Sequence, residues 1–476
     1  MKPLVVDLEG TLIKTDLIFE AANALIAHEP SRLGGLARSL LGGRAEARSY
    51  LAQSGTIEPG SLPYHAELLH WLKAQHRAGR RLILVARSPA PLAAPVFEHL
   101  GFFDELLLLD EGVEPHHADL KSLLLSRFGA QGFDFLGGRS SGLTVWRAAA
   151  RNYLLSSSAS FSAKVSAMSV VAQVFSCPGG GAYRTFAKAL RPHQWVKNTL
   201  LFVPLLAAQR WADHVSLILT AVAFLVFGLT ASSVYLINDL VDVGHDRAHA
   251  VKKGRPFAAG TLSLAQGWAS WPVLLASAFI VAGLLLPRAF CAQLALYFLL
   301  TLAYSLYLKK HAILDVLTLA ALYTLRITAG VAALAVPLSF WLLTFSMFIF
   351  LSLAFLKRFT ELKAARDTGA QFNLRGRGYR IEDIDLVCSF GIAAGYLAVL
   401  VLALYIQDNR TSLLYRHPQL IWLACPILLF WTSRAWLLAH RGEMNQDPVV
   451  FALSDRLSWL IAVSFGVVFV LARILP

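Results

Sequence analysis

Residues 232–263 read SSVYLINDLVDVGHDRAHAVKKGRPFAAGTLS. The stretch leaves an apolar run and enters a cluster of cations. Asp239, Asp242 and Asp246 stand at i, i+3 and i+7, so a continuing helix puts all three on one face. Like charges gathered at the edge of an apolar segment repel one another and call for a counter-charge. A Mg2+ ion bridging to a diphosphate supplies it, because Mg2+ takes a few carboxylates together with phosphate oxygens. Lys252, Lys253 and Arg255 follow and suit further phosphate oxygens. The bland alternative is a solvated helix end with scattered acids. Ionisable clusters at a membrane boundary are functional by default, which favours the site.

From Arg191 onward, apolar stretches recur at about 196–209, 215–237, 270–287, 290–308, 313–335, 339–356, 384–406, 419–440 and 457–474. Most approach the ~20 residues that cross a hydrocarbon core as a helix. The pattern predicts nine spans, the first of them the shortest. Composition agrees: the 476 residues are 56% hydrophobic and only 15% charged, with a mean hydropathy of +0.55. Soluble domains carry about 25% charge, so most of this chain is not dissolved in water, and the same figures exclude disorder, collagen, coiled coil and a disulfide scaffold. The net charge of +13 is read as cationic loops rather than as a nucleic-acid surface. If even-numbered spans end in the cytoplasm, inside loops hold fifteen Lys and Arg and outside loops five, Arg375 and Arg410 included. The reading is an inner- or plasma-membrane protein in a lipid bilayer, with the soluble domain and the aspartates cytoplasmic and no nucleic-acid partner. Acids near the N-terminus come too early for a secretory h-region. Cys177, Cys291, Cys388 and Cys425 show no C-x-x-C spacing, which gives no zinc or disulfide signature.

Residues 1–150 differ in kind. Buried strands are predicted at Pro3–Val6, Arg81–Ala86, Glu105–Asp110 and Phe133–Gly137, with a polar helical stretch over Ser31–Gln53 and a helix over Leu120–Phe128. Strands alternating with helices predict a parallel sheet in a soluble, Rossmann-like α/β domain. Residues 151–182, rich in Ser and containing Pro178-Gly179-Gly180-Gly181, read as a linker lying on the membrane surface. Residues 183–476 form the α-helical membrane domain.

The 232–263 segment resembles the first aspartate-rich motif, N-D-x-x-D-x-x-x-D, of the UbiA superfamily of intramembrane prenyltransferases. RPHQWVKN (Arg191–Asn198), YSLYLKKHAILDV (Tyr304–Val316), LRITAG (Leu325–Gly330), LKRFTEL (Leu356–Leu362) and SDR (Ser454–Arg456) extend the resemblance. They bring it closest to the decaprenyl-phosphate phosphoribosyltransferase branch. The resemblance implies nine helices around a cavity open to lipid. Asn238, Asp239, Asp242 and Asp246 would hold a Mg2+–diphosphate, Lys197 and Asn198 would contact substrate phosphate, and Lys357, Arg358 and Glu361 would form a second polar cluster. Aromatic prenyltransferases of the superfamily carry a second D-x-x-x-D where this chain has K-R-F-T-E-L, one acid flanked by cations. Such a cluster suits phosphate better than a second metal. The expected reaction therefore moves a phosphoribosyl group from phosphoribosyl diphosphate to a polyprenyl phosphate, in cell-envelope biosynthesis. Prenyl transfer to an aromatic acceptor is the alternative enzyme. A transporter or lipid-binding protein is the alternative class, disfavoured because no internal repeat is seen and the acids cluster at one surface. Self-association stays open. Asp315 and Arg326 lie eleven residues apart in one span, so Arg326 faces either a cavity or that acid.

VVDLEGTL (5–12) resembles the first motif, D-x-D-x-T, of haloacid-dehalogenase-like (HAD) hydrolases. Asp7 matches the nucleophile, Glu9 the general acid/base, Ser88 the phosphate-binding hydroxyl and, loosely, Lys121 the family lysine. The last motif, G-D-x-x-x-D, appears as GGRSSG, with Gly138 and Gly142 replacing both acids. Loss of these carboxylates argues against Mg2+ retention and phosphatase activity, leaving a domain that braces the cytoplasmic mouth.

Overall fold

The computed structural model describes residues 1–109, 117–176, 181–367, 377–408, 415–444 and 447–475. Asp110, Cys177, Pro178 to Gly180, Arg375 and Arg410 lie outside them. The chain divides into two compact units. One comprises Met1–Arg191 with Tyr235–Val273, the other Pro192–Val234 with Leu274–Pro476.

The first unit is built on six parallel strands: β1 (Leu4–Asp7), β2 (Leu82–Ala86), β3 (Glu105–Leu108), β4 (Asp134–Gly137), β5 (Asn152–Ser156) and β6 (Val171–Ser176). Their order is β3-β2-β1-β4-β5-β6, with Leu4 opposite both Leu82 and Asp134. Strands covered on both faces read as unbroken apolar runs, and β1 and β2 do. Alternate residues feed opposite cores: Leu4, Val6, Leu82 and Leu84 join one cluster, and Val5, Ile83 and Val85 the other. Strand order reverses between β1 and β4, which leaves a crevice beyond their carboxyl ends. Asp7 closes β1 there, and Gly138 follows β4.

The predicted linker is corrected. Residues 151–182 contain β5, β6 and an intervening helix, Ala159–Ser166, and the apolar 165–175 piece buries Val165 and Phe175 in the two cores rather than resting on lipid. The sheet therefore continues to Ser176. The outer strand hides its nature because of its residues only Phe175 is fully buried, as on a half-solvated edge.

Among the described residues, eight helices rather than nine are long and apolar enough to span a membrane: His214–Val241, Leu264–Leu285, Arg288–Leu306, Leu314–Leu334, Phe340–Asp367, Ile381–Ile406, Pro418–Arg441 and Arg456–Ile474. The expected first span is instead a 3-10 stretch, Pro192–Phe202, followed by the short helix Val203–Ala207. Pro192 and Pro204 and the polar residues between them oppose a continuous apolar helix. In the second unit this stretch packs at bare backbone. A Cβ on Gly228 would lie 2.6 Å from the Trp195 ring, and one on Gly330 would lie 2.4 Å from the Leu201 carbonyl oxygen.

Candidate active-site residues

The His214–Val241 helix carries Asn238 and Asp239 in its last turn. It does not continue through the motif. Asp242 breaks it at φ −87° and ψ 6°, and a second helix, Val243–Ala248, carries Asp246. The expected single face of three carboxylates is therefore replaced by a pair. Asp239 and Asp246 are each 2% exposed, while Asp242 and Asn238 are half-buried. One nitrogen of Arg255 lies 3.1 Å from Asp239 Oδ1 and 2.6 Å from Asp246 Oδ2. Arg191 forks onto Asp239 at 2.5 and 2.8 Å, its guanidinium also lying 5.4 Å from the Tyr235 ring. Arg191 adopts a left-handed φ of 53° at the end of the Ala182–Leu190 helix. That conformation is costly for a non-glycine residue and marks a place where the surroundings dictate the backbone. Lys252 and Lys253 are exposed, and the ion pairs of Asp239 and Asp246 among the described residues are with Arg191 and Arg255.

No three His, Cys, Asp or Glu side chains gather as a metal cluster among the described residues. Two carboxylate oxygens nevertheless converge on one positively charged atom. That is the donor set a hard, oxygen-seeking cation uses when phosphate oxygens complete its shell.

In the second unit the candidate residues fall into three groups among the described residues. Lys197 and Lys357 both reach Asp447 Oδ2, at 3.1 and 3.0 Å. Burial opposes ionisation of Asp447, but the two ammonium groups outweigh it and hold its carboxyl well below the usual range. Arg358, adjacent to Lys357, turns elsewhere. Its wholly buried side chain pairs with Asp315 and Glu361 and donates to Tyr304 at 3.1 Å. Arg377 joins them, 3.4 Å from Asp315 and 3.6 Å from Glu361. Asp315 is thus claimed by Arg358, not by Arg326. Arg326 donates to Asn198 at 3.0 Å, to Tyr297 at 3.0 Å and to the Leu322 carbonyl at 2.6 Å. Sequence reasoning missed Asp447 and gave Arg191 and Arg377 no role. Two of them had a signal: Asp447 is one of three acids between the last two spans, and Arg191 opens the RPHQWVKN string.

In the α/β domain the candidate groups satisfy one another. Arg87 lies 3.3 Å from Asp7 Oδ2 and donates to the Glu9 carbonyl at 2.6 Å. The Arg87 and Ser88 backbone N–H groups, which could have cradled a phosphate, donate to the Glu9 carboxyl at 3.1 and 3.0 Å. Ser141 Oγ donates to Asp7 at 2.5 Å. Burial, then Asp16 and Asp7, raises the Glu9 pKa. Lys121 sits on the His117–Phe128 helix, with no hydrogen bond to Asp7 or Glu9 among the described residues.

A model of the UbiA prenyltransferase family matches residues 199–471. The chain belongs to that family. Over 99% of its length it is 35% identical to the uncharacterized protein y4nM of Sinorhizobium fredii, covering 91% of that protein. It is 38% identical over 61% of its length to the nodulation protein NoeC of Azorhizobium caulinodans, 94% of which is covered. It is 32% identical over 63% of its length to the decaprenyl-phosphate phosphoribosyltransferase of Mycolicibacterium smegmatis, 98% of which is covered. Those last two matches span about three fifths of this chain and nearly the whole of each relative. This UbiA-family chain is an integral membrane transferase.

Proposed function

We propose that this UbiA-family enzyme transfers a 5-phosphoribosyl group from phosphoribosyl diphosphate to a polyprenyl phosphate. The observation that carries the reading is the charge balance of the second unit's polar residues. Lys197 and Lys357 share one acid, and Arg358 and Arg377 neutralise Asp315 and Glu361. That set offers cations to phosphate rather than a second pair of carboxylates to a metal. The name of the Mycolicibacterium relative points the same way.

In this reading a lipid phosphate oxygen attacks the anomeric carbon, the bond from that carbon to the diphosphate oxygen breaks, and diphosphate leaves with the bonding pair. Asp239 and Asp246 would hold Mg2+, with Asp242 and Asn238 beside them. Bound there, Mg2+ supplies neutralisation of the charge developing on the leaving diphosphate. Arg191 and Arg255 exchange their carboxylate partners for diphosphate oxygens. Lys197, Asn198 and Lys357 receive substrate phosphate. Lys252 and Lys253, exposed, raise the local concentration of the anionic donor. Arg358 and Glu361 hold the helix that presents Lys357. The excess of cations in alternate loops supports a cytoplasmic active side, where a water-soluble donor is met.

The α/β domain is read as a HAD-like fold without phosphatase chemistry. Arg87 occupies the place of a counter-ion, and Glu9 occupies the N–H groups a phosphate would need.

Purified protein incubated with Mg2+, labelled phosphoribosyl diphosphate and polyprenyl phosphates of several lengths tests the reading. Labelled lipid is expected. Prenylation of a hydroxybenzoate from geranyl diphosphate, with no labelled lipid, would replace it by the aromatic prenyltransferase reading.

A further inference from the structure

The Leu17–His28 helix of the α/β domain grips both helix ends that carry the paired aspartates. Glu20 and Asn23 share one face of it, three residues apart. Asn23 donates to the Leu240 carbonyl at 2.9 Å and accepts from the Trp268 indole N–H at 2.9 Å. Leu240 follows Asp239 directly, and its carbonyl is among the last four of its helix, which no intrahelical N–H can reach. Glu20 holds Arg247, the neighbour of Asp246, through a two-point pair at 3.0 and 2.7 Å. These contacts are dry: Glu20 is 6% and Asn23 2% exposed. The break at Asp242 means that no single rigid helix spaces Asp239 from Asp246. Their spacing depends on what holds each end.

We propose that Glu20 and Asn23 are positioning residues for the transferase: the α/β domain holds Asp239 and Asp246 at the separation that a divalent cation and a diphosphate require. The inference rests on the proposed role of those aspartates. It gives the domain a part in catalysis that needs no chemistry of its own.

The test uses the full-length protein in detergent. Binding of Mn2+, a paramagnetic substitute for Mg2+, is followed by electron paramagnetic resonance, beside the KM for phosphoribosyl diphosphate and the thermal midpoint. Removing a group that orients metal ligands costs about 10–100-fold in metal affinity. Glu20→Ala and Asn23→Ala should each weaken Mn2+ binding and raise the Mg2+ requirement by at least the lower figure, in protein that still unfolds cooperatively. The charge swap of Glu20→Arg with Arg247→Glu should recover the affinity that either single change loses. Should the alanine variants not fold, Glu20→Gln, which keeps shape and one hydrogen bond, is expected to weaken binding in the same direction. Wild-type Mn2+ affinity and Mg2+ requirement in folded Glu20→Ala and Asn23→Ala, or in Glu20→Gln where it carries the test, would overturn the proposal. Failure of the underlying reading shows separately, as an Asp239→Asn variant that binds Mn2+ normally.

Discussion

One guanidinium nitrogen of Arg255 stands 2.6 Å from an Asp246 oxygen and 3.1 Å from an Asp239 oxygen. Two buried carboxylates therefore converge on a single positive charge. Their mutual repulsion is met by arginines for which a diphosphate is the stronger competitor.

Asp239 has two arginine partners and is as deeply buried as Asp246. Asp239→Asn is expected to lower transfer below about a tenth of the wild-type rate, a loss above ~1.4 kcal/mol in the barrier. A rate assay with labelled donor checks it, and an unchanged thermal midpoint separates chemistry from folding.

Adjacent residues of one helix should behave differently. Arg358→Leu leaves Asp315 buried without its main partner and should cost about 3–5 kcal/mol of stability. Lys357→Ala should leave folding intact, because its side chain is 30% exposed. It removes one charge-assisted contact to substrate phosphate and should raise KM about tenfold or more. Thermal unfolding in detergent and steady-state kinetics read the two effects.

His65 gives the α/β domain an acid-sensitive contribution. Burial, and then Lys14, lowers its pKa to about 4. The folded state thus binds its proton less readily than the unfolded chain. The stability from neutral His65 is complete above about pH 6.5 and is lost as pH falls from there toward 4. Allowing for the water that reaches the ring edge, the loss is about 2 kcal/mol. His65→Asn, a good residue before the Ala66–Arg77 helix, should flatten that slope in denaturant titrations at several pH values.

The α/β domain should release no phosphate. Asp7→Asn is expected to leave transfer unchanged in the full-length enzyme. Mg2+-dependent hydrolysis of a model phosphoester, lost in Asp7→Asn, would contradict the assignment of Arg87 as the permanent partner of Asp7.

The sequence carried the membrane helices and the α/β alternation well, because both rest on periodicity. LVVD and LILVA can hardly be other than buried strands in such a setting. It carried β5 and β6 poorly: NYLLS and VAQVFS are short, flanked by serines, and the outer one is half-solvated. Pro192 and Pro204 were visible, yet the apolar residues around them mimic a span. At the site, the types of residue were legible and their partners were not. Asp239, Asp242 and Asp246 follow helical spacing, but the break at Asp242 arises from packing. Asp315 and Arg326 share a helix, yet Arg358 from another helix takes Asp315. Contacts across hundreds of residues, such as Glu20 with Arg247, leave no mark in local pattern.

The central claim concerns which group moves. Phosphoribosyl diphosphate carrying one label on the ribose and a second on the β-phosphate, supplied with Mg2+ and a polyprenyl phosphate, tests it most directly. The account predicts that ribose label passes into the lipid phase while β-phosphate label stays in water as diphosphate, and that both events vanish in Asp239→Asn. Both labels entering lipid together, or neither moving while geranyl diphosphate is consumed with a hydroxybenzoate, would contradict it.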